Sequence, residues 1–262
     1  GEIATLRAYL RQRERLLDNA AAHIQHMRKA PTQMNLQLHD VVSDITGVTG
    51  MRIIRAIVNG ERDPDVLASF RDRGCHASVE TIRQALIGND REEHIFALSP
   101  ALELYDIYQA KVAECDKRIA AVLTRLKEAS PTPADPLPAA RHKGRSSNPL
   151  TFDVREALYA VIGIDLTQIH GLGPYLALKL VGECGTDLSA WPSAKHFTSW
   201  LGLAPSNKIS GGKVLSSRTR RSGNRAASLL RLAAVTVGRT DTALGAFYRR
   251  LSARVGKAKA VT

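Results

Sequence analysis

One serine in this chain stands where chemistry on a phosphodiester is possible. In residues 202–224, GLAPSNKISGGKVLSSRTRRSGN, Ser210 precedes two glycines, lies between Lys208 and Lys213, and is followed by Arg218, Arg220 and Arg221. Glycines let a backbone turn sharply and approach a ligand closely, and successive exposed amides in such a turn point at an anion. The surrounding cations would offset phosphate charge. The hydroxyl could then attack phosphorus if a base activated it, because an unassisted hydroxyl is a weak nucleophile. No base adjoins it in sequence; His196, about fourteen residues upstream, could touch it, the safer reading being a half-buried surface histidine. The same residues also suit a solvated basic turn that grips a nucleic-acid backbone passively.

The charge distribution points to the same partner. Net charge is +12, from 37 basic and 25 acidic residues, and 44% of the residues are apolar, enough for a packed core. From residue 203 to the end there are 13 Lys or Arg against one acid, Asp241, so the whole excess lies in the last quarter. Such a segment repels itself without a polyanion and is the electrostatic footprint of a nucleic-acid-binding surface. Cys75, Cys115 and Cys184 form no CxxC pair and read as reduced, mostly buried thiols of a cytoplasmic protein, with neither a disulfide framework nor a zinc site. No apolar run has the length of a membrane span, and no signal-peptide pattern opens the chain, so no membrane partner is expected. The first residue is Gly rather than Met, which suggests a piece of something longer.

Several elements must position the serine. A short helix, VREALYAVIG, leads into residues 169–185, IHGLGPYLALKLVGECG. A Gly-x-Gly turn followed by Pro and an apolar helix is the signature of a helix-hairpin-helix, whose turn amides and helix N-terminus meet a DNA phosphate without reading sequence. Gly171 and Gly173 would be the contacts, with Pro174 at the first helical position. An ordinary tight turn between helices is the alternative. The spacing is not GxGxxG and no strand precedes it, which excludes a dinucleotide cofactor. Phe197, Trp200 and Leu201 are expected to form a core that supports the Ser210 loop. Beyond the loop, NRAASLLRLAAVTVGR reads as an amphipathic helix with Asn224 as N-cap and Arg225 and Arg231 upon it. A second basic helix, TALGAFYRRLSARVGKAKAVT, continues nearly to the end.

The first half is built differently. Ile3, Leu6, Leu10, Leu17, Ala20, Ile24 and Met27 fall on one heptad seam interrupted by Arg13, and Pro31 should end that helix. A second stripe runs through Leu102, Tyr105, Tyr108, Val112, Cys115, Ile119, Val122 and Leu126, with Ser99 and Pro100 as N-cap and first helical residue and an expected length of about 45 Å. The two seams predict an antiparallel coiled coil. Residues 35–90, rich in glycine, predict a helical knob at its tip, with helices ending near Gly60 and Gly88. The domains expected are an arm over 1–130, a Pro-rich linker over 131–151 and a basic domain over 152–262, in a mainly α fold.

With these motifs in hand, IHGLGPYLALKLVGECG, FTSWLGLAP, SGGK and RSGNRAASLLR resemble the C-terminal transposase domain of the insertion-sequence 110 family of bacterial mobile elements. The first half, with LRAYLRQRERLL, HIQHMRKA, QMNLQLHDVVSDITGVTGMRIIRAIVNGERDP and EEHIFALSPALELYDIY, resembles the coiled-coil middle region of one branch of that family. The resemblance implies a DNA recombinase that excises and inserts its element, guided by a structured non-coding RNA. It implies an N-terminal RuvC-like domain holding divalent metal on four acidic residues, Mg²⁺ being expected, and a C-terminal serine nucleophile. Ser210 matches that serine, with Ser222 in RSGN as a weaker candidate. Self-association through the coiled coil, as a dimer or a four-protomer assembly, and a bacterial cytoplasmic, nucleoid-associated location also follow from it.

No RuvC-like domain precedes residue 1, and Asp40 and Asp44 do not match the family's metal positions. The expectation is therefore a chain that is inactive alone, contributing Ser210 and nucleic-acid contacts at Gly171, Gly173, Lys208, Lys213, Arg218, Arg220, Arg221 and Arg225 to a composite site, with no metal ligand of its own. Two other readings are a non-enzymatic dimeric helix-hairpin-helix DNA-binding module and an oligomerisation fragment with a basic tail.

Overall fold

The computed structural model describes residues 1–89, 91–141, 148–205, 207–220 and 222–262. In chain order its elements are α1 (Glu2–Gln33), α2 (Leu38–Val41), α3 (Val48–Val58), α4 (Pro64–Ser69), α5 (Val79–Ala85), α6 (Glu92–Glu128) and α7 (Val154–Ile162). A 3₁₀ turn (Leu166–Gln168) follows, then α8 (Pro174–Cys184), α9 (Ala194–Leu201), β1 (Lys208–Ser210), β2 (Lys213–Ser216), α10 (Arg225–Val237), α11 (Ala243–Val255) and α12 (Lys257–Ala260). The fold is mainly α, and its two described strands form one antiparallel hairpin. Two compact units result, residues 12–114 and residues 1–11 with 115–262, and α1 and α6 give turns to both.

In the unit of residues 12–114, the two long helices run antiparallel: the rings of His23 and Tyr108 stack at 5.5 Å, while Met27 and Ala30 share a core with Leu98, Ala101 and Leu102. α2 to α5 complete that core with Leu38, Ile53, Ile54, Ile57, Leu67 and Ile82. Local sequence sets their starts, since Asp63 accepts from the Asp65 amide and Ser78 from the Thr81 amide. α3 ends before Gly60, as the sequence predicts. Gly88 does something else: a Cβ there would overlap the Met34 carbonyl, and the Asn89 amide donates to that carbonyl at 2.9 Å, so this glycine allows a close backbone approach rather than capping α5.

Both proline boundaries are corrected. α1 continues past Pro31 to Gln33, and α6 begins at Glu92, so Pro100 lies inside it. An interior proline costs a helix about 3 kcal/mol, but continuing α6 upstream of Pro100 buries Leu98 completely, and a buried Leu side chain recovers about 1.5–3 kcal/mol.

In the other unit the helix ends pair antiparallel again, with Arg125 Nη2 2.9 Å from Glu2 Oε2 and the Arg118 guanidinium over the Tyr9 ring. Leu6, Leu10, Ile119, Val122 and Leu123 are buried together with Leu150, Val154, Leu158, Val161, Ala177, Leu178 and Val181, which joins the helix ends to α7 and α8 in one core. Part of the Pro-rich segment runs along α7: the Tyr159 hydroxyl donates to the Asp135 carbonyl at 2.8 Å, Arg155 donates to that of Pro138, and Arg141 donates to that of Gln168. After α11, Gly256 with φ +85° interrupts the basic helix that the sequence predicts as continuous, and α12 follows.

Candidate nucleic-acid interface

The glycine turn before α8 is fixed from below by an ionic cluster. Asp165, whose side chain is 2% exposed, accepts from Arg155 Nη2 at 2.6 Å and Nε at 3.0 Å. It also accepts from the Thr167 amide, the Thr167 hydroxyl and Gln168 Nε2. Burial by itself raises the carboxyl's pKa, but the bonds from Arg155, Thr167 and Gln168 outweigh that and hold it well below the ordinary value. The 3₁₀ turn so anchored delivers the chain to Ile169.

The structure then separates the two glycines. Gly171 has φ +91°, and a Cβ there would stand 2.5 Å from the Ala233 carbonyl oxygen, so its missing side chain lets the turn lie against α10. Gly173 is exposed with open space around its Cα, and it is the N-cap of α8 with Pro174 at the first position. Leu172 between them is buried. Of the two glycines, only Gly173 therefore faces outward with room for a phosphate, while Gly171 serves packing.

Next come α9 and the root of the hairpin. Ser193 caps α9, and its hydroxyl shares a hydrogen bond of 2.7 Å with His196 Nδ1, so His196 is engaged within its own helix start. The rings of Trp191, Phe197 and Trp200 lie 4.7–5.8 Å apart, in the offset and edge-on arrangements aromatic groups prefer. Beneath them Leu201, Ala226 and Ala227 form a small core with Leu180, Cys184, Leu203 and Leu230. Gly202, at φ +73°, ends α9, and a Cβ there would come 2.8 Å from the Ser222 Cβ. The Ser222 hydroxyl accepts from the Asn224 amide at 3.1 Å, so this serine caps the approach to α10. Asn224 in turn accepts from the Ala227 amide as N-cap.

On this root stands the hairpin, closed at its base by the Pro205–Thr219 bridge. Gly211 and Gly212 have φ +54° and +75°, the signs that a two-residue turn matching strand twist requires. Ser210 pairs directly with Lys213, so hydroxyl and ammonium belong to one cross-strand pair at the tip. Ile209 pairs with Val214, and both are exposed. Lys208, Lys213, Arg218 and Arg220 are exposed and form no ion pair with any described residue. Arg221 lies outside the described residues. Ser210 is exposed too, and its hydroxyl has no hydrogen bond to a described residue.

Arg225 is held differently. Its Nε lies 3.4 Å from Glu183 Oε1, and the same carboxylate receives Arg11 Nη2 at 2.7 Å and Arg7 Nε at 3.5 Å. Arg7 also donates to the carbonyls of Gly182 and Glu183, satisfying the C-terminal end of α8. One carboxylate meets three guanidinium groups, so the cluster stays positive. Sequence reasoning missed Arg7, Arg11 and Glu183, because the partners are 172 positions or more apart and no local pattern marks them. The neighbouring Cys184 thiol is pushed up to about 11 by burial and by the Glu183 charge, against Arg7, so at neutral pH it is a protonated thiol.

An outward glycine turn, a hairpin whose cations form no ion pair with described residues and an exposed serine are groups that can meet a phosphate backbone. Residues 165–249 match the family model described as transposase IS116/IS110/IS902 family, a span from Asp165 through the hairpin and α10 into α11. Those residues resemble the transposase domain of an insertion sequence, and a transposase of that family acts on DNA. No curated protein and no solved structure matches the chain. No described helix is long and apolar enough to cross a membrane.

Proposed function

We propose that this chain supplies the serine nucleophile for DNA strand cleavage and transfer in transposition of an insertion sequence, guided by a non-coding RNA. The observation that carries this reading is Ser210 itself: exposed, its hydroxyl without a competing hydrogen bond to a described residue, at the tip of a glycine-turn hairpin and paired through the backbone with Lys213. In the step, Ser210 Oγ bonds to phosphorus, the phosphorus–oxygen bond to the leaving strand breaks, and the released strand end takes up a proton. Lys213, with Lys208, Arg218 and Arg220, offsets the charge that builds on the phosphate. Ser210 gives up its own proton to a base that no described residue supplies by a hydrogen bond in this structure, His196 Nδ1 being shared with the Ser193 hydroxyl.

The outward Gly173 turn at the start of α8 supports a helix-hairpin-helix contact to the DNA backbone. The antiparallel α1 and α6, with their heptad seams, support a coiled-coil arm that joins copies of the chain and meets the RNA. Among the described residues no three His, Cys, Asp or Glu side chains gather as metal ligands, and Asp44 is engaged with Thr46. These residues do not fit a centre for the divalent ion that the family resemblance implies, and the reading routes no step through it.

The test is trapping. This chain, alone and joined to an N-terminal RuvC-like domain, is incubated with element-end DNA, the element's non-coding RNA and Mg²⁺, then denatured. DNA attached to Ser210, and abolished by Ser210→Ala, is the expected result in the joined form. Cleaved DNA without an adduct would make water the nucleophile. Binding without cleavage would favour the passive DNA-binding module, a reading consistent with His196 being engaged by Ser193 rather than by Ser210.

A further inference from the structure

A second basic feature lies away from the hairpin. Where α11 packs against the end of α10 and α12 packs on α11, a cleft of about 490 Å³ is lined by Val235, Gly238, Arg239, Tyr248, Arg249, Ser252, Ala253 and Lys257, a size within the roughly 300–1,000 Å³ that small ligands occupy. Its walls combine three kinds of surface. One edge of the Tyr248 ring lies against Gly238, where any Cβ would overlap Cδ1 and Cε1, so the glycine makes room for the ring and does not cover its faces. Arg239, Arg249 and Lys257 bring three cations, and no carboxylate of a described residue lines the cleft. Arg249 donates through Nη1 to the carbonyls of Gly238 at 3.1 Å and Thr240 at 2.7 Å, which holds its guanidinium at the α10–α11 turn. The Ser252 hydroxyl is buried there and has no hydrogen-bond partner among the described residues. An unsatisfied buried hydroxyl costs about 1–3 kcal/mol, which a ligand group that bonds to it recovers.

A bare anion would use the cations but not the ring or the apolar wall of Val235 and Ala253. A flat heterocycle joined to a phosphate uses all three: the ring stacks on Tyr248, the phosphate meets Arg and Lys, and a polar edge reaches Ser252. We infer that this cleft takes one unpaired nucleotide of a nucleic-acid strand, base on Tyr248 and phosphate between Arg239, Arg249 and Lys257. The inference rests on the proposed nucleic-acid function only for the source of the strand, and it does not involve Ser210.

The test uses the full chain with a short oligothymidylate carrying 4-thiothymidine, irradiated and mapped by mass spectrometry, with a matching oligouridylate and a duplex alongside. The expected crosslink is on the α11 peptide that contains Tyr248. Tyr248→Leu should weaken single-strand affinity by roughly 5- to 150-fold, the value of one stacked base, while Tyr248→Phe keeps it within about twofold because the ring remains. Gly238→Ala, which displaces the ring, should reduce the crosslink. Tighter binding of the thymidine or of the uridine strand tells whether DNA or RNA supplies the nucleotide. Crosslinks confined to the hairpin, or an equal loss of duplex and single-strand binding in Arg239→Ala/Lys257→Ala, would overturn the inference and leave a general counterion patch. Ser210→Ala should leave the crosslink unchanged, so failure of strand cleavage and failure of this site are separately visible.

Discussion

Removing the Asp165 carboxylate should loosen the whole base of the glycine turn. In Asp165→Ala, Arg155 keeps the Pro138 carbonyl and the Thr167 hydroxyl but loses its carboxylate while its side chain is only 16% exposed, and the Thr167 amide, the Thr167 hydroxyl and Gln168 lose their acceptor. Breaking a buried pair by deleting one partner costs about 3–5 kcal/mol, and a lost cap alone about 1 kcal/mol. These effects overlap in one network, so about 3–5 kcal/mol is the expected total for the unit. Asp165→Asn keeps the shape and the Thr167 bonds and should cost less, about 2 kcal/mol. Urea unfolding followed by tryptophan fluorescence reads the right unit, because Trp191 and Trp200 are the chain's two tryptophans and both belong to it. The sign of the pH dependence follows from the depressed carboxyl. A group whose folded pKa lies below its unfolded one contributes in full above the unfolded value, near 4 for Asp, and loses that contribution as pH falls toward the folded value. The gap between the native chain and Asp165→Ala should therefore be widest at neutral pH and close below about pH 4. A loss under about 1 kcal/mol at neutral pH, within the range of an exposed pair, would refute the buried-network account, as would a gap that does not change on acidification.

Two further outcomes follow from the hairpin and the turn. Lys208→Ala/Lys213→Ala should make the slope of log affinity against log salt for duplex DNA shallower by about 1.8, roughly 0.9 for each phosphate no longer neutralised; an unchanged slope in fluorescence anisotropy would mean that the hairpin does not meet the backbone. Gly171→Ala meets the Ala233 carbonyl at a positive φ and should cost about 2–5 kcal/mol in thermal unfolding. Gly173→Ala, with open space around it, should change stability by about 0.5 kcal/mol or less and reduce DNA affinity instead; equal stability losses at the two glycines would contradict the division of roles described above.

Local chemistry was legible where it is self-contained. Asn224 reads as a helix start and caps α10, and the short helix ending in Gly163 is α7, which that glycine closes in the left-handed region. The Ser210 stretch read as a glycine turn, but not as paired strands, because segments of three and four residues carry too little alternation to show a period. Prolines 31 and 100 read as boundaries because the local penalty is visible in sequence, whereas the burial of Leu98 that offsets it depends on residues far along the chain. The same limit explains the basic residues. Arg225 and Arg218 look alike in sequence, yet a glutamate 42 positions away from Arg225 ties down one and not the other. Nor does Gly-x-Gly spacing say which glycine faces a helix and which faces solvent; only the packing of α10 decides that.

The hairpin has one more consequence. Its strands are short, no third strand borders them among the described residues, and Ile209, Val214 and Leu215 stand 58–68% exposed, so by itself such a ribbon is only marginally held. On the proposed function, the hydroxyl at its tip would be set in line by whatever lies against the ribbon. Part of the interaction with the correct DNA and partner surfaces would then be spent on ordering the serine, and a strand that offers only charge would leave it out of alignment. If Ser210 cuts DNA as proposed, reactivity conditional on assembly would be a form of self-restraint written into the fold.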